Sequence, residues 1–284
     1  MTADAPFRLA ASAAASQLPL IYDSPHSGRA YPPGFSPLVP VTELLGYEDR
    51  LVDDLLAQAP GHGVALLTAN FPRSFVDPNR AEDDLDVQVA GESWTRPVRP
   101  TGYSERGQGL IFRVGLDGRP LYDGPLTADE LNERIAGHWR PYHRALDDLL
   151  DAAQERWGKV WHINWHSMRP VGDTLAPDPG ATRADFVLGD LHGRSAAPAF
   201  TAAAEAALRT LGYSVARNRP FKGGYITHRH GRPSEGRHSI QIEINRGLYL
   251  QPDLLEPAAG MATLQADLAA FTAKMSGFVR EQAG

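Results

Sequence analysis

The chain has 284 residues, of which 42% are hydrophobic and 22% charged, and its formal net charge is −6. These values are typical of a globular protein, and an acidic balance without a long basic run argues against nucleic acid or an anionic membrane as a partner. Cysteine is absent, which excludes disulfides and thiolate metal sites, so His, Asp and Glu would have to hold any metal. No apolar run approaches the roughly 20 residues that span a bilayer. Residues 1–17 have neither a basic segment nor a sustained apolar one, so we expect a flexible lead-in there and a cytoplasmic protein.

Strand-like and helix-like segments alternate along the rest of the chain. Short runs rich in β-branched and aromatic residues predict strands within 18–28, 64–70, 109–115, 159–167, 184–190, 214–218 and 238–245. Longer runs predict helices at 42–59, 127–157, 195–212 and 252–282. Thr42 and Thr127 are the expected N-caps, and Gly212 is the expected stop of the third helix. The alternation predicts one three-layer α/β domain over residues 18–284, with a mostly parallel mixed sheet flanked by helices.

The segment WHINWHSM contains two histidines, His162 and His166. On a helix they would share one face, as in the HExxH zinc motif, but the glutamate is missing and the residue types favour a strand. In a strand they would lie about 13 Å apart at roughly 3.3 Å per residue, too far to share one zinc ion. Ligand sites of parallel sheets form beyond the carboxyl ends of strands. His166 is therefore the better ligand candidate, and His162 is expected to be buried and hydrogen-bonded.

Partners for His166 can be sought at other strand ends. His26 ends a predicted strand in the motif SPHSG, and a third ligand would have to be a carboxylate. Glu48 and Asp49 are the nearest candidates, on the helix predicted over 42–59. A helical wheel places Glu48 near the middle of the apolar arc and Asp49 near its edge, while either residue alone could be an ordinary surface charge.

Glu243 lies in SIQIEIN, a segment that alternates cleanly between polar and apolar residues. Glutamate is depleted in strands. This residue is a general base beside a metal-activated water, part of a structural cross-strand ion pair, or a member of an exposed face.

Two further segments carry basic side chains. FPRSFVDPNR places Arg73, Asn79 and Arg80 around Asp77, which predicts either a carboxylate-binding fork or a structural ion pair. The segment 221–238 is polar and rich in glycine. It is either a loop whose backbone comes close to a bound ligand or a mobile surface loop.

A collinear series of motifs resembles one known family. The motifs are SPHSG, ED in YEDRLVDDL, PRSFVDPNR, PYHRAL, HINWHSM, FVLGDLHG, GYSVARNRPFKGGYITHRHGRP and EGRHSIQIEINRGLY. Over residues 18–250 they resemble the N-formylglutamate amidohydrolase (N-formylglutamate deformylase) family. The resemblance implies a fold like that of the zinc carboxypeptidases (phosphorylase/hydrolase-like). It also implies one zinc ion, and hydrolysis of N-formyl-L-glutamate to formate and L-glutamate in histidine degradation.

The resemblance also implies roles for individual residues. The metal ligands it implies are His26, Asp49 and His166, whereas the helical wheel favours Glu48 as the third ligand. The catalytic glutamate it implies is Glu243. The substrate-binding residues it implies are the carboxylate-binding pair Asn79 and Arg80, together with Arg73, Arg113, Lys222, Tyr225 and Arg246. Trp165 departs from the Cys or Asp of many members, and its side chain is expected to face away from His166.

Two other functions fit the same residues. The enzyme could hydrolyse another N-acyl amino acid or a small peptide, because residues 83–108 follow the family pattern less closely and a family does not fix a substrate. A non-catalytic domain could instead bind an acidic metabolite through Arg73, Arg80 and Lys222. In every case the expected partner is a small molecule, not a nucleic acid or a membrane.

Overall fold

The computed structural model describes residues 5–11, 17–115, 117–174 and 176–283. Its strands are β1 (Phe7–Ala10), β2 (Leu20–Ser24), β3 (Ala65–Ala69), β4 (Val160–Met168), β5 (Phe186–Gly189), β6 (Val215–Arg217) and β7 (Arg237–Asn245). Its α-helices are α1 (Val41–Leu44), α2 (Val52–Leu55), α3 (Val87–Ala90), α4 (Ala128–Arg134), α5 (Arg140–Trp157), α6 (Pro198–Thr210), α7 (Tyr225–His230) and α8 (Gly260–Ala283). None of the helices in these residues is long and apolar enough to cross a membrane.

The chain forms two compact units whose segments alternate along the sequence. The first unit comprises Met1–Arg8, Pro25–Arg50 and Thr68–Ala145. The second comprises Leu9–Ser24, Leu51–Leu67 and Leu146–Gly284. Of the predicted lead-in, residues 1–4 and 12–16 lie outside the described residues, whereas Phe7–Ala10 forms a strand. The boundary of a single domain at 18–284 stays a prediction.

The sheet has seven strands in the order β1-β3-β2-β4-β7-β5-β6. Strand β4 pairs in parallel with both β2 and β7, while β5 runs antiparallel to β7 and parallel to β6. The predicted mixed, mostly parallel sheet flanked by helices is thus confirmed. The expected strand at 109–115 is wrong, because only isolated bridges such as Gln108–Phe112 occur there.

The helix predicted over 42–59 is also wrong as one element. It is interrupted after α1 by a 3-10 turn, and Glu48 then adopts an extended conformation with φ −68° and ψ 143°. Leu51 has a φ of 61°, in the left-handed region, before α2 begins. Helix α1 begins at Val41, so Thr42 is not its N-cap. An α-helical wheel therefore does not describe residues 48–51.

Other helices follow the sequence more closely. Thr127 caps α4 in a reciprocal capping box with Glu130, and a π-helical turn at Ile135–Trp139 leads into α5. Helix α6 ends at Thr210, and Gly212 has a φ of 94°, as expected for its stop. The closing helix begins at Gly260 rather than 252. The polar segment 221–238, expected to be loop, contains helix α7, and Ile226 and Thr227 of that helix are buried.

Alternation along β4 and β7 separates two faces of the sheet. The two tryptophans and the isoleucine of β4 and the three isoleucines of β7 belong to the main hydrophobic core, together with residues of α2, α6 and α8. Trp165 is fully buried there and contacts Tyr22 and Phe271 edge to face, with ring centroids 5.4 and 5.5 Å away. Its side chain thus faces away from His166, as predicted. The other face carries a ladder of polar residues, which includes His162, Asn164 and His166 of β4 and Gln241 and Glu243 of β7.

Candidate metal centre and active site

His26 is held between two carboxylates. It lies two residues beyond β2 and is almost completely buried. Its Nε2 lies 2.7 Å from Asp77 Oδ1, and its Nδ1 lies 3.4 Å from Asp49 Oδ2. The backbone N–H of Asp49 also donates to the His26 carbonyl at 2.9 Å. Because an ionised Asp77 can only accept a hydrogen bond, Nε2 carries a proton, and Nδ1 is the ring nitrogen that faces Asp49.

Asp77 is the centre of a buried polar network. It accepts hydrogen bonds from Arg73 Nη2 at 2.7 Å and from the backbone N–H of Asn79 at 2.8 Å, in addition to that from His26. Burial alone would raise the pKa of Asp77, but the charges of Arg73, His26 and Arg80 lower it well below its usual value. Arg73 is therefore engaged in holding Asp77, and Asp77 stays ionised beside His26.

The neighbours Glu48 and Asp49 have different partners. Glu48 accepts hydrogen bonds from the Tyr31 hydroxyl at 2.7 Å and from Arg50 at 3.1 Å. Burial raises the pKa of Glu48 above its usual value. Asp49 instead directs a carboxylate oxygen to His26. The extended backbone at Glu48 separates the two side chains, so the wheel that favoured Glu48 rests on a helix that is not formed.

His166 and Glu243 are neighbours across the β4–β7 pair. The two strands run parallel, and these residues are partners in the register. His166 Nε2 lies 2.6 Å from Asn164 Oδ1. Gln241 donates to Glu243 Oε1 at 2.7 Å and accepts from the backbone N–H of Gly224 at 2.8 Å. The register thus puts an imidazole and a carboxylate side by side on the polar face of the sheet.

His162 lies deeper on the same face. Its Nδ1 is 2.9 Å from Ser239 Oγ and its Nε2 is 2.9 Å from Asp23 Oδ1. Its side chain is fully buried, and the expectation of a buried, hydrogen-bonded histidine is confirmed.

The side chains of His26, Asp49 and His166 form a group that could hold a metal ion. One ligand atom of each lies within 4.8 Å of the others, and each residue is at most 2% exposed. Ligands at about 2.0–2.1 Å from a tetrahedral ion are separated by roughly 3.3 Å. The 3.4 Å between His26 Nδ1 and Asp49 Oδ2 fits that spacing. Two imidazole nitrogens and a carboxylate are donors that suit a divalent transition metal, so the residues fit a metal site.

Arg80 is partly fixed by its surroundings. Its Nε donates to the Gln108 carbonyl at 3.2 Å and its Nη1 to the Asn79 carbonyl at 3.0 Å. The guanidinium carbon lies 3.8 Å from the ring centroid of Tyr103. This stacking holds the plane of the guanidinium, and Nη2 is not used in either of these hydrogen bonds. Tyr103 lies within residues 83–108, where the sequence indicated no role for it.

The remaining predicted substrate-binding residues have varied environments. Arg113 forms an ion pair with Asp86 at 2.6 Å. Arg246 donates from Nε to Ser167 Oγ at 2.9 Å, directly after β7. The Tyr225 hydroxyl accepts from Arg229 at 3.1 Å, and Lys222 is exposed. Arg246, which follows β7, and Tyr225, the first residue of α7, thus already have hydrogen-bond partners within the protein.

Comparison with known proteins agrees with this geometry. The family model for N-formylglutamate amidohydrolase matches residues 18–250. The chain belongs to the N-formylglutamate amidohydrolase family. It is 32% identical over 242 residues to the N-formylglutamate deformylase of Pseudomonas aeruginosa, covering 82% of this chain and 83% of the relative. It is 28% identical over 243 residues to the N-formylglutamate deformylase of Pseudomonas putida, covering 83% of each.

A solved structure of the same family is also similar. The crystal structure of N-formylglutamate amidohydrolase from Ralstonia eutropha JMP134 shares 41% identity and a TM-score of 0.91 with this chain, covering 98% of this chain and 99% of that one. The family resemblance inferred from the motifs is therefore confirmed.

Several polar residues around this candidate site were not indicated by the sequence. Asp23 contacts Asn164 directly and Ser239 through His162, and these contacts depend on the pairing of strands that are far apart in the sequence. The available signal was the run of polar residues at alternate positions of β4 and β7. That pattern marks a polar face, but it does not reveal which residue of one strand meets which residue of another.

Proposed function

We propose that the chain hydrolyses the amide of N-formyl-L-glutamate to formate and L-glutamate with one bound divalent metal ion. The observation that carries the proposal is the buried group of His26, Asp49 and His166 in a member of this family. Zn²⁺ is the metal best suited to two imidazole nitrogens and one carboxylate with a position left open. The family also supports a cytoplasmic enzyme of histidine degradation.

The metal ion, when bound, would lower the pKa of a water molecule toward about 7 and polarise the formyl oxygen. The protein's own part is to present the ligand atoms in fixed orientations. Asp77 accepts a hydrogen bond from Nε2 of His26 and so fixes the orientation of that ring. The ion pair with Arg73 keeps Asp77 ionised. Neutral imidazoles and an ionised carboxylate are the protonation states that metal binding requires.

Glu243 is the proposed general base. Its carboxylate lies beside His166 in the strand register, and Gln241 holds one of its oxygens. The other oxygen would take a proton from the attacking water and deliver it to the amide nitrogen as the C–N bond breaks. The water oxygen ends on the formyl carbon, which leaves as formate, and the transferred proton ends on the nitrogen of glutamate, which leaves as the amine.

Arg80 and Asn79 are the proposed partners of a substrate carboxylate. An arginine plane held by Tyr103 matches a carboxylate through two parallel N–H donors. Lys222, Tyr225, Arg113 and Arg246 remain proposed contacts for the second carboxylate and the developing oxyanion. The contacts of Arg73 favour a supporting role through Asp77 over direct substrate binding.

The deciding experiment measures formate release from N-formylglutamate before chelation, after chelation and after Zn²⁺ is restored. Activity should be lost with the metal and recovered with it. Unchanged turnover by metal-free protein would overturn the metal-dependent mechanism. Parallel assays with N-acetylglutamate, N-succinylglutamate and dipeptides test the other hydrolase, and metal-independent binding of N-formylglutamate without turnover would indicate the non-catalytic alternative.

A further inference from the structure

We propose that Asn164, held by Asp23, is a positioning residue that fixes the ring of His166 so that Nδ1 is its metal-binding nitrogen. The inference rests on the proposed metal centre and adds to it a set of supporting residues. It is carried by a continuous series of hydrogen bonds on the polar face of β2, β4 and β7. The residues of this series, which we call the Ser239–His166 chain, are Ser239, His162, Asp23, Asn164 and His166.

Each link of the chain has the length of a good hydrogen bond. Ser239 Oγ lies 2.9 Å from His162 Nδ1, and His162 Nε2 lies 2.9 Å from Asp23 Oδ1. Asn164 Nδ2 donates to the same Asp23 oxygen at 2.8 Å, and Asn164 Oδ1 lies 2.6 Å from His166 Nε2. The strand register produces this arrangement, because Asp23 pairs with Asn164 across β2 and β4, and Ser239 pairs with His162 across β4 and β7.

The donors and acceptors fix a direction along the chain. An ionised Asp23 only accepts hydrogen bonds, so both the His162 Nε2–H and the amide N–H of Asn164 must donate to it. Nδ1 of His162 is then the ring nitrogen that meets the Ser239 hydroxyl. The amide of Asn164 can turn only its oxygen toward His166, which must donate from Nε2–H. The lone pair of His166 is consequently on Nδ1.

The middle of the chain is not itself a catalytic site. Ser239, His162 and Asp23 have the hydrogen-bond order of a Ser–His–Asp triad, in which the serine is the nucleophile. All three are 0% exposed, and so is Asn164. A serine without access to substrate cannot act as a nucleophile. Ser239 and His162 instead fix the orientation of the Asp23 carboxylate, which accepts the hydrogen bond from Asn164. Metal-bound histidines are commonly oriented by hydrogen bonds of this kind from residues that do not touch the metal.

A reversed His166 ring would meet Asn164 with the wrong atom. If Nδ1–H and Nε2 exchanged places, the buried Asn164 Oδ1 would lose its donor, and the amide cannot flip because its N–H₂ group is engaged by Asp23. Loss of such an outer-shell partner lowers metal affinity by about 10- to 100-fold in other metal sites. We expect a loss in that range when Asn164 is replaced.

The test compares Zn²⁺ dissociation constants, measured by competition with a chromophoric chelator, and the visible spectrum of the Co²⁺-loaded protein. Asn164→Ala and Asn164→Asp should each bind Zn²⁺ about 10- to 100-fold more weakly than the wild type. Asn164→Asp keeps an acceptor for His166 but places a second carboxylate against Asp23. Adding Asp23→Asn to that variant restores the hydrogen bond between the two positions, with the donor now at position 23 and the acceptor at position 164. Zn²⁺ affinity and the Co²⁺ spectrum should then move back toward those of the wild type.

Ile163→Val is the matched control, because Ile163 lies on the opposite, apolar face of β4. It should lower the melting temperature of the metal-free protein without changing Zn²⁺ affinity. Equal affinities of Asn164→Ala and the wild type would overturn the inference. A loss that simply followed melting temperature across all variants, Ile163→Val included, would also overturn it. Failure of the wild type itself to bind Zn²⁺ would instead refute the proposed metal centre.

Discussion

Glu243 stands directly beside His166, because β4 and β7 run parallel and pair these two residues in register. A residue that would take a proton and a residue that would bind a metal are therefore fixed by backbone hydrogen bonds of the sheet, not by loops. Sites carried on such rigid elements hold their groups more accurately than sites on loops. The register also shows how QIEIN would supply, in the proposed site, the glutamate that WHINWHSM lacks.

Glu243→Gln should keep the metal and lose the reaction. Glutamine fills the same space beside His166 but cannot take a proton from water. A general base contributes about 10²- to 10⁴-fold, so kcat should fall by that factor while Zn²⁺ content stays near that of the wild type. Steady-state assays and metal analysis of the same preparation would show both. Near-normal turnover by this variant would exclude the proposed role.

Tyr103→Ala should weaken substrate binding through Arg80. The aromatic ring lies 3.8 Å from the guanidinium carbon, and Tyr103 is itself 44% exposed. A cation–π contact contributes about 0.5–2 kcal/mol, so kcat/KM should fall roughly 2- to 30-fold, mainly through KM. Tyr103→Phe retains the ring and is the matched control. If Phe and Ala had the same effect, stacking would not be the cause.

Local patterns could predict β4 and β7, because a strand of alternating polar and apolar residues needs only one buried and one polar face. They could not predict the break at residues 48–51. There the left-handed Leu51 and the extended Glu48 accompany contacts made with Tyr31 and with the carbonyl of His26, which lie elsewhere in the chain. Local propensity favours a helix at that point, and tertiary contacts override it.

The Ser239–His166 chain also depends on tertiary contacts that local sequence patterns cannot predict. Asp23 and Asn164 are separated by 141 positions and meet only because β2 and β4 are neighbours in the sheet. The sequence shows that each residue lies in a strand, but it does not show the register between two strands. A shift of two residues would keep every polar side chain on the same face and replace all of these hydrogen bonds.

His138→Phe should reduce the loss of stability in mild acid. The ring of His138 contacts Phe71 and Phe75 edge to face, with centroids 5.2 and 5.0 Å away, and its buried Nδ1 has no hydrogen-bond partner among the described residues. Burial, followed by the charge of Arg134, lowers the pKa of His138 below its usual value. A lowered histidine pKa favours the neutral ring in the folded state. The stability it contributes is therefore complete above the unfolded pKa of about 6.5 and is lost as pH falls through the folded pKa.

Urea unfolding at pH 8 and pH 5 measures this effect. The wild type should lose more free energy of unfolding between the two pH values than the phenylalanine variant does. His62→Gln offers a control, since His62 is only half-buried and its ring is not enclosed by aromatic residues in the described contacts. An identical pH dependence of wild type and His138→Phe would show that His138 does not contribute.

Gly189→Ala should disturb Glu243 from a distance. A Cβ at Gly189, the last residue of β5, would lie 2.5 Å from the backbone N of Gly223 and from the carbonyl carbon of Lys222. The backbone of this segment must move to admit it, and overpacking of this kind costs about 1–3 kcal/mol. The same segment supplies the Gly224 N–H that holds Gln241, which in turn holds Glu243. We expect kcat to fall while Zn²⁺ affinity changes little, because the ligands of the proposed metal lie on other segments.

Gly277→Ala is the matched control, since nothing lies within 4 Å of the added methyl group and alanine stabilises a helix by about 0.5–1 kcal/mol relative to glycine. Kinetics together with urea unfolding of both variants separate the two effects, and full activity of a destabilised Gly189→Ala protein would show that the Gly224–Gln241 contact does not position the base.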